Sequence, residues 1–173
     1  MKKVFLFMAL LFAVINVYCQ IPKQGLEIEA GCSMVDETIG PRLGARYCLE
    51  MSDFFTLSAS LSSSNGFRIG KYDVTNAESY YSGFSSVNIG IGSHVDFLKV
   101  CLFGLTIDGG SGMYIKRNVM YFRPVIGGTA KLSFKLNQKI QMGLFCNQTW
   151  MHYSGFFNKV ASSFGICWRW NPL

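Results

Sequence analysis

The chain has 173 residues, one domain's worth, and is 50% hydrophobic and 15% aromatic with only 15% charged, which excludes disorder. Mean hydropathy is +0.25, high for a soluble domain, yet only the N-terminus carries a long apolar run. The net charge of +6 comes without a basic run or an aromatic–basic patch and gives nucleic-acid binding no support.

Met1 to Gln20 reads as a secretory signal. Lys2 and Lys3 form the basic region, Val4 to Ile15 is an unbroken apolar stretch, and no stop-transfer pattern follows. Val17-Tyr18-Cys19 places cleavage after Cys19, giving a signal at 1–19 and a mature domain at 20–173. The rival is a lipoprotein acylated on Cys19, against which stands Tyr18, bulky where a small residue is needed. Cleavage takes two lysines and leaves 14 basic against 10 acidic residues, a net charge of +4. Of the cysteines, Cys32, Cys48, Cys101, Cys146 and Cys167 remain, an odd number with no C-x-x-C spacing. Cys32 and Cys146 lie in phase with apolar neighbours, so neither a disulfide framework nor a zinc site is expected, and nothing calls for a cofactor.

The mature chain alternates with a period of two, the mark of strands with two different faces. Strand 1, Leu26 to Met34, sets Leu26, Ile28, Ala30, Cys32 and Met34 against Glu27, Glu29, Gly31 and Ser33. Val35 to Pro41 reads as a loop. Strand 2, Arg42 to Glu50, sets Leu43, Ala45, Tyr47 and Leu49 against Arg42, Gly44, Arg46, Cys48 and Glu50. After the turn Met51-Ser52-Asp53, strand 3 runs from Phe55 to Ser62, and a long polar stretch covers Ser63 to about Tyr80. Strand 4 ends at Val95 and places Val87, Ile89, Ile91 and Val95 opposite Asn88, Gly90, Gly92 and His94. Strand 5, from Lys99 to about Ile107, alternates too weakly for its faces to be assigned. Asp108 to Asn118, with Gly109-Gly110-Ser111-Gly112, reads as a second long loop. Strand 6, about Tyr121 to Lys135, turns at Leu136-Asn137-Gln138 into strand 7, Lys139 to Thr149. Trp150 to Asn158 reads as a third loop before strand 8. There Val160, Ser162, Phe164, Ile166, Trp168 and Trp170 alternate with Ala161, Ser163, Gly165, Cys167 and Arg169.

Connections after strands 2, 4 and 6 read as tight and those after 1, 3, 5 and 7 as longer, the parity of short periplasmic turns and long outer loops. Tyr47, Phe55, Phe134, Trp168 and Trp170 fall at one level. Tyr80, Tyr81, Tyr121, Phe122, Trp150, Tyr153 and Phe156 fall at the other, as two girdles would. The expected fold is therefore all-β: an eight-stranded antiparallel transmembrane barrel.

The inward faces collect Glu27, Glu29 and Glu50 with Arg42, Arg46, Lys131, Lys135 and Arg169. An eight-stranded lumen is narrow enough for side chains to fill, so these charges are expected to interlock as a structural plug, the alternative being a narrow ion path or a ligand-contacting cluster. The inward glycines Gly31, Gly44, Gly90, Gly92, Gly127 and Gly165 would leave room for long charged neighbours. Catalysis is not expected. His152 could meet Asp108 or Ser111 only across loops, and Met113 stands where a nucleophile elbow needs glycine.

This pattern is similar to the small outer-membrane barrels of Gram-negative bacteria. The ending that carries Phe164, Ile166, Trp168 and Trp170 resembles the final-strand signal read by the barrel assembly machinery, though Asn171-Pro172-Leu173 continues beyond the last aromatic. The signal ending before Gln20 looks like those of Bacteroidetes. Ile21 to Gly31 resembles the mature start of TraO-family conjugative-transposon proteins. Gly127-Gly128 through Leu132, Lys139-Ile140 and Phe164-Gly165-Ile166 are also similar to that family, while Met51 to Ile107 matches poorly. The resemblance implies a non-enzymatic outer-membrane part in DNA transfer between cells, with outer-membrane lipid, the assembly machinery and other transfer proteins as partners. Two other roles stay open: a general surface barrel acting through its loops, as an adhesin, an envelope stabiliser or a small-solute-interacting protein, and a lipid-modifying enzyme using His152.

Overall fold

Alternating sequences that cannot bury both faces in one sheet can close it into a cylinder, which also removes the unpaired edges. The computed structural model describes residues 23–35, 38–52, 54–67, 81–97, 100–116, 119–153 and 155–172. The signal sequence, Ile21-Pro22 of the TraO-like stretch and most of the Ser63–Tyr80 segment lie outside them. Eight strands follow in order: β1 (Lys23–Val35), β2 (Thr38–Glu50), β3 (Phe55–Phe67), β4 (Tyr81–Phe97), β5 (Cys101–Lys116), β6 (Val119–Lys135), β7 (Ile140–Tyr153) and β8 (Phe156–Trp170). Each pairs antiparallel with its neighbours, and β1 closes on β8 through the register Glu27↔Arg169 and Gly31↔Gly165.

The exterior is apolar. Leu43, Leu61, Ile89, Ile107, Leu144 and Phe164 point outward, and Ile89 is 74% exposed. β5, whose faces the sequence left open, turns Phe103, Leu105 and Ile107 outward and Leu102 and Asp108 inward. At the end that holds Lys23 and Asn171, Tyr47, Phe55, Phe134, Trp168 and Trp170 are exposed, joined by Phe54 and Phe97. At the far end Phe122 and Phe156 are exposed, whereas Tyr121 stacks on Tyr114 with ring centroids 6.1 Å apart. Such an apolar, aromatic-rimmed cylinder is built for lipid rather than water.

The loop reading needs correction. Val35 and Thr38–Pro41, most of Asp108–Asn118, and Trp150–Tyr153 with Phe156–Asn158 are strand. The connections after β1, β5 and β7 are only positions 36–37, 117–118 and 154–155, shorter than those after β2, β4 and β6. Only the connection at 68–80 is long. Gly155, with φ of +86°, takes the left-handed conformation that a two-residue hairpin tip demands. The expected parity of loop lengths therefore does not hold. Backbone pairing continues where side chains on the outer face turn polar, so alternation fades before the strands end.

Strand 8 departs from strict alternation as well. Thr149 pairs with Ala161 but Trp150 pairs with Lys159, so Val160 is the extra residue of a β-bulge. Val160, expected on the outer face, packs against the interior apolar cluster instead.

Candidate functional site

The lumen is layered. Midway along it, Glu29 on β1 faces Arg42 and Arg46 on β2 and Lys131 on β6. Arg42 Nη2 lies 3.0 Å from Glu29 Oε2, Arg46 Nε 3.5 Å from Oε1, and Lys131 Nζ 3.1 Å from Oε1. Lys131 also pairs with Glu27, and Arg46 Nη1 lies 3.0 Å from Asp108 Oδ1 on β5. Three carboxylates thus meet three cations, all but Lys131 at most 5% exposed in their side chains. Neutral partners complete the layer: Arg42 Nη1 donates to Asn147 Oδ1 (3.0 Å) and Ser163 Oγ (3.2 Å), Arg46 Nη2 donates to Thr129 Oγ1 (3.3 Å), and the Arg42 guanidinium lies 5.4 Å from the centre of the Phe145 ring. Buried charges are tolerable only when so paired and hydrogen-bonded.

Two inward glycines serve this layer by their size. A Cβ at Gly44 would stand 3.2 Å from Glu29 Oε2, and one at Gly90 would press on Asp108 Oδ1 and stand 3.0 Å from Ser58 Oγ. Gly31 and Gly165 have a different reason. They face each other across the β1–β8 seam, and a Cβ on either would run into the partner strand's backbone. Gly92 crowds Thr106, while Gly127 has ordinary space.

Arg169 and Glu50 do not join the central layer. They pair at 2.6 Å nearer the terminal end, where Arg169 Nε also donates to Asn171 Oδ1 at 2.8 Å. Asn171 N donates to Lys139 O, which ties the residues after Trp170 to the barrel rim. Lys135 pairs with Asp96 at 2.6 Å on the exposed rim. Below the charged layer a chamber of about 60 Å³ opens past His94, Leu102 and Gln141 into a terminal vestibule of about 1180 Å³. Above it, Val35, Phe84, Val125, Met151 and Ala161 form an apolar cap inside the barrel. Beside it the Thr38 and Ser82 hydroxyls lie in hydrogen-bond contact with each other and 2.7 Å and 3.1 Å from Val35 O; with one proton each, they make two of these three bonds at a time.

Sequence reading missed Asp108, Asp96 and the cap, because it placed Asp108, Val35 and Met151 in loops and Asp96 in a turn. Continuing the alternation of β5 past Ile107 would have turned Asp108 inward. The residues weighed for catalysis do not meet: Asp108 is held in the lumen by Arg46, while His152 packs edge-on against Phe157 at the far end. Among the described residues no cluster of His, Cys, Asp or Glu could hold a metal ion. Phe164, Ile166, Trp168 and Trp170 form the exposed face of β8, beside β1 at the closing seam.

No family model matches this chain, and no curated protein matches it in sequence. Solved structures do resemble it. Neisserial surface protein A superposes with a TM-score of 0.66 at 7% identity, covering 88% of this chain and 98% of that one. The Yersinia pestis outer membrane protein Ail, determined in a phospholipid bilayer nanodisc, superposes with a TM-score of 0.51 at 12% identity, covering 87% and 99%. At these identities the likeness establishes the fold: a closed, eight-stranded antiparallel barrel of the outer-membrane type.

Proposed function

We propose that this chain is an outer-membrane barrel of a Gram-negative bacterium that works as a structural or interaction protein, neither enzyme nor channel. The observation that carries this reading is the layered lumen: a charge-balanced plug beneath an apolar cap, inside an apolar cylinder. A balanced, buried network leaves no excess charge to attract an ion, and the cap offers a permeating solute no polar partner. The end with Lys23, Asn171 and the vestibule would face the periplasm, and the opposite end, where β3 leaves and β4 enters, the outside. The exposed aromatic face of β8 would serve as the signal read during assembly. Membrane fractionation tests the location. A tag inserted between positions 73 and 74 should be stained on intact cells, and one at Asn137 only after permeabilisation.

The finer reading is a TraO-like component of a conjugative DNA-transfer apparatus, supported by the resemblance of Ile21 to Gly31 and acting through contacts at its rims. A clean deletion in a donor should lower mating frequency by decades and be restored by complementation. Wild-type mating from the deletion would remove the transfer role and leave a general surface barrel.

A further inference from the structure

The β8 bulge alters what the barrel shows to lipid at its far end. Residues directly opposite in a ladder share a face. Trp150 lies between buried Thr149 and Met151, so it points outward, and its partner Lys159 points outward with it. Were Val160 paired regularly with Trp150, with no bulge, Lys159 would point into the lumen. The β7 partners of Lys159 and Trp168, Trp150 and Met142, lie eight steps apart, roughly 20 Å along a tilted strand and near the ~25 Å height of an apolar band. Lys159 thus stands at the level of lipid headgroups.

The rung beneath it is polar on the lipid face. Gln148 is exposed and pairs with Ser162, whose Oγ is shut off from water and finds no partner among the described residues. Gln148 also pairs with Gly128 on β6, and the next rung toward the membrane centre holds Ala130 and Cys146. A Cβ at Gly128 would meet nothing within 4 Å. Glycine weakens a strand, and here the protein's own packing gives no reason for it. The vacant space lies on the lipid side.

The geometry points to a binding site for one membrane lipid bearing a phosphate. Its phosphate would pair with Lys159, its polar linkage would reach the exposed Gln148, and an acyl chain would lie over the small outward residues Gly128, Ala130 and Cys146. Trp150 flanks the headgroup, as amphipathic rings do at a lipid interface. The site deepens the outer-membrane reading and rests on it for the lipid met in the cell, but the chemistry can be read in a reconstituted bilayer whatever the cellular location.

The test is native mass spectrometry of the full mature barrel released from nanodiscs of phosphatidylcholine alone, with one-fifth phosphatidylglycerol, or with one-fifth lipid A. Wild type should retain one phosphatidylglycerol or one lipid A in preference to phosphatidylcholine, the better-retained lipid naming the source. Lys159→Gln should reduce that retention about fivefold, the worth of one cation at a lipid surface. Lys159→Arg should keep it, and Lys139→Gln at the opposite rim should not change it. Folding of each variant is checked by heat-modifiable gel mobility. Equal retention by Lys159→Gln, or no preference of wild type for either phosphate lipid, would overturn the proposal. Mislocalisation in cells with selective retention in nanodiscs would refute the outer-membrane reading while upholding the site.

Discussion

Glu29→Gln is the sharpest perturbation of the plug. The Glu29 carboxylate is bridged by Arg42, Arg46 and Lys131 at 3.0, 3.5 and 3.1 Å, with its side chain 3% exposed. Neutralising it leaves three cations facing only Glu27 and Asp108, in a layer where five of the six charged side chains are at most 5% exposed. Removing one partner of a buried ion pair costs about 3–5 kcal/mol, most of it the penalty of the charge left behind. With a urea slope of about 1–3 kcal/mol per molar, the unfolding midpoint should fall by roughly 1–5 M. Unfolding of the refolded barrel in phosphatidylcholine vesicles, followed by tryptophan fluorescence, reads this directly. Adding Arg42→Met restores two cations to two carboxylates, and the double variant should recover part of the loss. A Glu29→Gln barrel within about 1 kcal/mol of wild type would refute the reasoning, since an exposed pair is worth no more than that. So would a double variant whose losses simply add.

Other outcomes follow from the same layers. Phe84→Ala, at 1% exposure, empties the apolar cap and should cost about 3–5 kcal/mol in the same unfolding assay. Gly31→Val drives a side chain into the backbone of Phe164 and Gly165 at the closing seam, so the barrel should fail to gain heat-modifiable mobility. Asp96→Asn breaks the rim pair with Lys135, half exposed on the acid's side, and should shift stability by no more than about 1 kcal/mol.

Where one face meets lipid and the other a polar lumen, the sequence is easy to read, because opposite solvents demand opposite chemistry at successive residues. Leu26 to Met34 and Ile140 to Cys146 are such stretches, and so is Ser162 to Trp170. The eight strands, their order and the inward charges follow from that contrast. It disappears toward the far end. There Val35, Phe84 and Met151 fill the lumen with apolar side chains, while Ser63, Ser85 and Gln148 stand outside, so the pattern fades or inverts without the ladder ending. Gly109-Gly110-Ser111-Gly112 looks like a loop for the same reason. In the barrel two of its glycines answer to packing: a Cβ at Gly110 would run into the backbone of Val87, and one at Gly112 would stand 2.6 Å from Val125 Cγ1 and 3.0 Å from Phe84 Cε2. Hidden in that misread segment was Asp108, the carboxylate that balances Arg46. The bulge at Val160 was equally out of reach, since a single extra residue is defined by its partner strand and not by its own neighbours.

The central claim is that the lumen is filled, and single-channel recording in planar phosphatidylcholine bilayers tests it most directly. Purified wild-type barrel, shown folded by heat-modifiable mobility, should insert without producing discrete conductance steps in 1 M KCl. Reproducible ohmic steps from folded wild-type protein would contradict it: the charged layer and the apolar cap would then be leaving a continuous aqueous path.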